Sequence, residues 1–234
     1  MLRPLMKRMY LRCWVLPRMH RAYQPLSITE TFQRVYSSKI WGDSPGGFCS
    51  GPGSDGPASD DYCNSVISFI RAHRIESVID LGCGDFSIGR RIVDATGILY
   101  TGVDVVPELI AHHKGRIQSS TINFLCADIT RDSLPLADLC LVRQVLQHLS
   151  NEEIEKVLAN LCNFATILVS EDVPLHPKSF NHDKPHGPDI RASYDSGVYL
   201  DRPPFSRMAT ELWSFGLRPG AVLRTVVLRQ RQDH

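Results

Sequence analysis

Between residues 77 and 170, short apolar runs alternate with longer segments whose apolar positions recur every three or four residues. The runs 77–81, 99–103, 122–125, 139–142 and 166–170 have the length and bulk of buried strands. The segments 87–96, 107–114 and 150–164 carry helical spacing, and the last opens on the capping box Ser150-Asn151-Glu152-Glu153. Upstream, Ser27-Ile28-Thr29-Glu30 is a second capping box and predicts a helix through Ser37. A further helix is predicted over 59–73, with Tyr62, Val66, Ile67, Phe69 and Ile70 as its apolar positions. Strands alternating with helices imply a parallel sheet covered on both faces. The stretch 172–204, rich in Pro, His, Asp and Asn, breaks the rhythm. After it the pattern predicts a helix over 205–214 and two short strands over 217–222 and 225–229.

The ends of the first three strands share a feature. The run Val78-Ile79-Asp80-Leu81-Gly82-Cys83-Gly84-Asp85-Phe86 passes from an apolar strand through an acid to two alternate glycines, then into a helix. Glycine there lets backbone approach a ligand where a side chain would collide. Asp104 closes the second strand, 22 residues after Gly82, and can accept from both ribose hydroxyls of a nucleoside. Asp128 follows the third strand and can read an exocyclic amine. A GxGxxG dinucleotide fingerprint fails here, because Ser87 stands at its third glycine position and Gly89 is out of register.

From Ser77 to Ser170, and more weakly to the end, these residues resemble the class I S-adenosylmethionine-dependent methyltransferase family, in particular a bacterial small-molecule type. The run from Ala137 to Leu149 resembles that family's fourth-strand motif and following helix. The resemblance implies an α/β, Rossmann-like, doubly wound sheet of seven strands, mostly parallel with a reversed final strand. It implies S-adenosylmethionine as cofactor and S-adenosylhomocysteine as product. Asp80, Gly82, Cys83 and Gly84 would hold the methionine end, Asp104 and Val105 the ribose, and Asp128 and Ile129 the adenine. Arg143 and Gln144 follow the fourth strand and are also candidate cofactor contacts. Trp41-Gly42 and Ser50-Gly51-Pro52-Gly53-Ser54 resemble runs that precede the cofactor motif in similar bacterial proteins, which puts Trp41 and Ser54 over the cofactor. Many members have a third glycine where Phe86 stands, so the loop is expected to take a different shape here.

In an open α/β sheet the ligand lies beyond the carboxyl ends of the strands. Arg143, Gln144 and His148 after the fourth strand, and Glu171 and Asp172 after the fifth, are placed there. His148 is the preferred general base, with Arg143 and Glu171 as further catalytic candidates; His148 also reads as a helix cap, and Arg143 as a salt-bridged surface cation. His148, Asp172, His182, His186 and Arg191 are candidate acceptor contacts, the last four within a polar lid over 172–204. Their spacing matches no metal motif, and no metal is assigned.

Composition narrows the acceptor only by exclusion. The chain has 234 residues, 43% of them hydrophobic, with a net charge of +1. It is large enough for one core and carries no global field that would draw nucleic acid. The seven cysteines are scattered without a CxxC, which points away from a disulfide framework and toward a cytoplasmic protein. The expected division is 1–56, a basic helical extension with a Gly/Ser loop, and 57–234, the cofactor-binding domain. The first 29 residues hold six Lys or Arg and no acid. A helix there suits either an anionic membrane face, through residues 1–25, or packing on its own domain or a twin subunit as a homodimer. The favoured acceptor is a small molecule, a hydroxyl of a sugar, nucleotide-sugar or glycolipid intermediate. The alternatives are RNA or protein as acceptor, or a relative that binds the cofactor without turnover.

Overall fold

The computed structural model describes residues 10–44 and 46–228. Helix α1 (Leu16–Tyr23) continues from a single π turn at Leu11–Val15, and α2 (Ile28–Ser37) follows. After an irregular stretch comes α3 (Pro57–His73). The alternating part then runs β1 (Ser77–Leu81), α4 (Ser87–Thr96), β2 (Leu99–Asp104), α5 (Pro107–Arg116), β3 (Ile122–Cys126), β4 (Leu139–Arg143), α6 (Asn151–Asn160) and β5 (Ile167–Pro174). The chain closes with β6 (Ala209–Arg218) and β7 (Ala221–Leu228). Both predicted capping boxes form: Ser27 with Glu30 opens α2, and Ser150 with Glu153 opens α6. No helix among the described residues is long and apolar enough to cross a membrane.

The seven strands lie in the order β3-β2-β1-β4-β5-β7-β6. All neighbours up to β5 are parallel, and β7 runs antiparallel to both β5 and β6. The chain thus forms the Rossmann-like sheet with a reversed final strand. Strand side chains alternate between two cores, as period-two geometry requires. Val78, Leu139, Leu141 and Leu168 face the core built with α3 and α4, beside Tyr62, Val66 and Ile92. Ile79, Leu81, Cys140, Val142, Ile167 and Val169 face the other, built with α2 and α6, beside Phe32, Val35, Ile154 and Val157. Strand order reverses between β1 and β4, whose carboxyl ends therefore open a crevice.

Two expectations need correction. No helix covers 205–214; the chain is strand from Ala209, where Trp213, Phe215 and Leu217 alternate with more exposed Ser214, Gly216 and Arg218. Period two prevails over the apparent helical spacing because the segment pairs along β7. The last turn falls at Pro219-Gly220, with Gly220 at φ +80°, not after Val222, and β7 is continuous. Arg229 lies outside the described residues. Helix α2 joins the central core through Phe32, Val35 and Tyr36.

Candidate active site

The floor of the site is the turn between β1 and α4. Gly82 N–H and Cys83 N–H both donate to Val103 O, at 2.8 and 2.9 Å, so the turn folds back across the end of β2. That path sets Gly82 at φ +75° and Gly84 at φ +52°. A Cβ at Gly82 would run into Val145, and one at Gly84 into Ser50 Oγ. Phe86, where the sequence suggested a differently shaped loop, takes the left-handed conformation a glycine would take, with φ 64° and ψ 9°. Its ring is buried against Tyr100 and Phe124, with centroids at 5.1 Å in each pair. Aromatic packing offsets a backbone strain of about 1–2 kcal/mol.

Three acids stand at three successive strand ends, all buried. Asp80 accepts the Tyr100 hydroxyl at 2.6 Å. Burial pushes its carboxyl up to about 6, against the pull of that hydroxyl and of Arg143. Asp104 accepts from Gly84 N–H at 3.2 Å and Val106 N–H at 3.1 Å, so it braces the glycine turn it faces. Burial lifts it to about 6 also, with those amides opposing. Asp128 accepts from Thr130 N–H and Oγ1, and its other oxygen lies 3.2 Å from Arg131.

Over this floor lies a cavity of about 1020 Å³, its mouth included. Every residue expected to contact the cofactor lines it, from Asp80, Gly82, Cys83, Gly84, Asp104 and Val105 through Asp128, Ile129, Arg143 and Gln144 to Trp41 and Ser54. Its roof comes from α2 and the 41–54 stretch, not from residues 172–204. Ile28, Phe32 and Tyr36, one helical turn apart, present one face of α2 to the cavity. The roof is fastened to the floor by a reciprocal pair: Ser50 N–H donates to Asp85 Oδ2 at 2.9 Å, and Asp85 N–H donates to Ser50 Oγ at 2.7 Å. Gly53 lies so close to the Gln144 amide that a Cβ there would collide with it. The sequence reading missed Ile28, Phe32, Tyr36, Ser50, Tyr62 and Asp85. The signal was present for α2, whose apolar stripe begins right after a capping box.

Arg143 enters the cavity wall from the end of β4. It donates to Gly53 O at 2.5 Å and Ser59 Oγ at 3.1 Å, and its guanidinium lies 4.9 Å from the Tyr62 ring centre. Its buried Nε has no partner among the described residues. Gln144 sits at φ 55°, a left-handed backbone at the cavity wall. His148 also lines the cavity, packed on Trp41 at 5.0 Å and Phe32 at 6.2 Å between ring centres. Gly187 O lies 3.2 Å from Nδ1, which fixes the proton there and leaves Nε2 as acceptor. Burial, then the Lys184 ammonium, hold the His148 pKa down at about 4, so the ring is neutral at pH 7.

The other candidates lie outside the cavity. Glu171 accepts from the N–H groups of Val145, Leu146 and Gln147, fixing the turn that carries His148. Burial pushes its carboxyl up to about 8. Asp172 pairs with Arg218. His182 stacks on Tyr194 at 4.6 Å. His186 bridges Glu153 Oε1 at 2.6 Å and Leu26 O at 3.0 Å. Arg191, fully buried, donates to Asn151 Oδ1, His182 O and Leu149 O. The 172–204 stretch is therefore packed structure that supports the site from outside, with Asn181, Lys184 and Asp189 buried as well.

The neutral state of His148 has a measurable consequence. A histidine whose folded pKa lies below its unfolded value favours folding above pH 6.5, and that contribution is lost as pH falls toward 4. Integrated over that window the loss is about 3 kcal/mol. Asp80 and Asp104, raised to about 6, act with the opposite sign, so the contribution shows only by difference. In parallel denaturant titrations, the stability gap between the protein and His148→Gln should shrink between pH 6.5 and 4. A gap independent of pH would show that the ring is not held neutral.

The sequence model of a methyltransferase-domain family matches residues 78–166. No curated protein matches the chain. Among solved structures, the N-methyltransferase NodS of Bradyrhizobium japonicum, in complex with S-adenosylhomocysteine, is similar over 85% of this chain and 98% of its own, at 13% identity and a TM-score of 0.57. The methyltransferase domain of the bacterial protein CtHen1-CN is similar over 74% of this chain and 100% of its own, at 17% identity and a TM-score of 0.54. Human N-acetylserotonin methyltransferase, in complex with S-adenosylmethionine, is similar over 94% of this chain and 68% of its own, at 15% identity and a TM-score of 0.51. At such identities the likeness is one of fold.

Proposed function

We propose that this chain, a class I S-adenosylmethionine-dependent methyltransferase by its matched domain and its fold, methylates a hydroxyl of a small acceptor, of the sugar, nucleotide-sugar or glycolipid class. The observation that carries the size of the acceptor is the roof. Helix α2 and the 41–54 stretch cover the cavity and are pinned to its floor through Ser50 and Asp85. The roof narrows the approach to the cavity, which favours a small acceptor over a folded macromolecule.

The residues present suit the cofactor. Asp80, Asp85, Asp104 and Asp128 gather negative charge along one wall, favourable to an ammonium and a sulfonium. Arg143, with its Nε unpartnered, offers a cation to a carboxylate. In this reading Asp104 holds the ribose and Asp128 with Ile129 the adenine. When bound, S-adenosylmethionine supplies a methyl group already activated on sulfur, so the protein's work is alignment and exclusion of water.

His148 stands at the acceptor end with Trp41 and Phe32. Its Nε2, which in this structure accepts from Gln147 Nε2 at 3.4 Å, would exchange that long contact for the acceptor's hydroxyl proton and orient the oxygen. With a pKa near 4 the ring does not strip an alcohol beforehand. It receives the proton once the oxygen, forming its third bond to the methyl carbon as the carbon–sulfur bond breaks, has become positively charged and strongly acidic, and passes it to water. His148 is thus an orienting acceptor and late base, a narrower role than a base poised at neutral pH.

The test is transfer of isotopically labelled methyl from S-adenosylmethionine to panels of sugars, nucleotide-sugars and glycolipids, set beside RNA and peptide panels. Label is expected in a small hydroxylic product, with kcat lowered about a hundredfold in His148→Phe. Label found only in RNA or peptide would overturn the acceptor assignment.

A further inference from the structure

The N-terminal helix is fixed to the domain by one face only. Leu16 and Tyr23 are buried beneath it. Arg12 donates to Ser193 O at 2.8 Å and pairs with Asp195 at 3.0 Å, and His20 pairs with Asp189 at 3.2 Å. These contacts set the orientation of the opposite face. That face presents Tyr10, 63% exposed, Trp14, 55% exposed, and Val15, 38% exposed, next to the exposed Arg18 and Arg21. The Arg18 guanidinium lies 5.1 Å from the Trp14 ring centre and donates to Trp14 O at 3.1 Å. No acid occurs in the first 29 residues, which hold Arg3, Lys7 and Arg8 in addition.

We propose that this outer face docks the protein on an anionic lipid bilayer. Tryptophan and tyrosine favour the headgroup level, where an apolar ring body and a polar edge are both satisfied. Arginines beside them gain from the negative surface potential of anionic lipid. A second copy of the chain is a poorer occupant. A two-fold contact sets the same patch against itself, so two basic patches would meet with no acid in residues 1–29 of either copy to offset them. The position of the helix gives docking a consequence. Only four residues separate α1 from α2, whose Ile28 and Phe32 line the cavity. A docked protein therefore holds its cavity beside the lipid surface, where an acceptor anchored in the membrane is concentrated. The docking itself does not rest on the acceptor assignment.

The experiment is co-sedimentation of the full chain with phosphatidylcholine vesicles, with and without phosphatidylglycerol, at low and high salt. Binding is expected only with phosphatidylglycerol and should be released by salt. Trp14→Glu, and Arg18→Glu with Arg21→Glu, should each weaken it at least about tenfold. S-adenosylhomocysteine titration checks that the variants are folded, and its affinity should be unchanged by substitutions on this face. Equal binding to neutral vesicles, no vesicle binding by a protein that binds S-adenosylhomocysteine, or variants that bind vesicles as well as the parent would each overturn the proposal. So would lipid-free association that Trp14→Glu abolishes, which would give the face to a second copy. If S-adenosylhomocysteine binds none of the proteins, the cofactor reading fails while the vesicle result stands on its own.

Discussion

Asp104→Ala is expected to weaken S-adenosylhomocysteine binding by at least about a hundredfold. A hydrogen bond to a charged partner contributes roughly 1.5–3 kcal/mol, and the ribose presents two hydroxyls to this carboxylate. The same substitution frees Gly84 N–H and Val106 N–H from their acceptor, which loosens the glycine turn. Asp104→Asn separates the two effects, because the amide oxygen retains one acceptor while the charge is gone. Calorimetric titration reads the affinity, and thermal melting confirms the fold. An unchanged affinity in a folded Asp104→Ala protein would mean that the ribose lies elsewhere, and the assignment of the whole cavity would have to be rebuilt.

Asp104 was legible in the sequence because everything that defines it is local. An apolar strand, an acid at its end and a glycine turn one unit earlier are all visible within thirty residues, and parallel pairing brings them together at the switch point. The same holds for Asp80, Gly82, Gly84 and Asp128, and for the sheet from β1 to β5. The closing hairpin was less legible. Trp213, Phe215 and Leu217 carry a period-two signal, but Phe205, Met208 and Leu212 supply a competing helical one. Only the partner strand β7 decides between them.

The roof and the outer support were legible only in part, and for a different reason. Helix α2 announces itself by its cap and its apolar stripe, yet nothing in those residues says that the stripe lies over a cavity. Phe86 shows a second limit. Its residue type argued for another loop shape, but the ring's burial between Tyr100 and Phe124 holds the backbone where glycine would sit. The polar stretch after β5 shows a third. His182, His186 and Arg191 have the chemistry of ligand contacts, and their true partners are distant in sequence. Arg191 reaches Asn151 and Leu149, and His186 reaches Leu26 across 160 positions. A polar residue's role depends on which groups meet it, and a sequence without its fold does not reveal that.

Arg191→Met tests this distinction, and its effect on stability should be the largest of any single change considered. Methionine fills much of the same volume, so the loss is chiefly of hydrogen bonds, not of packing. Three carbonyl oxygens, those of the Asn151 side chain and of His182 and Leu149, would lose their donor in a dry interior. Leaving buried acceptors without a donor costs about 1–3 kcal/mol each, which for three of them comes to about 3–5 kcal/mol even when part of the loss is relaxed. For a chain of this size that corresponds to a fall of roughly 10 °C in melting temperature. The support acts on the site through Leu149, which lines the cavity next to His148, so the variant should also lose activity at temperatures well below its own melting point. If Arg191 instead bound the acceptor, the melting temperature would stay within a degree or two of the parent and KM for the acceptor would rise with kcat little changed. That second pattern would return residues 172–204 to the role of an acceptor lid.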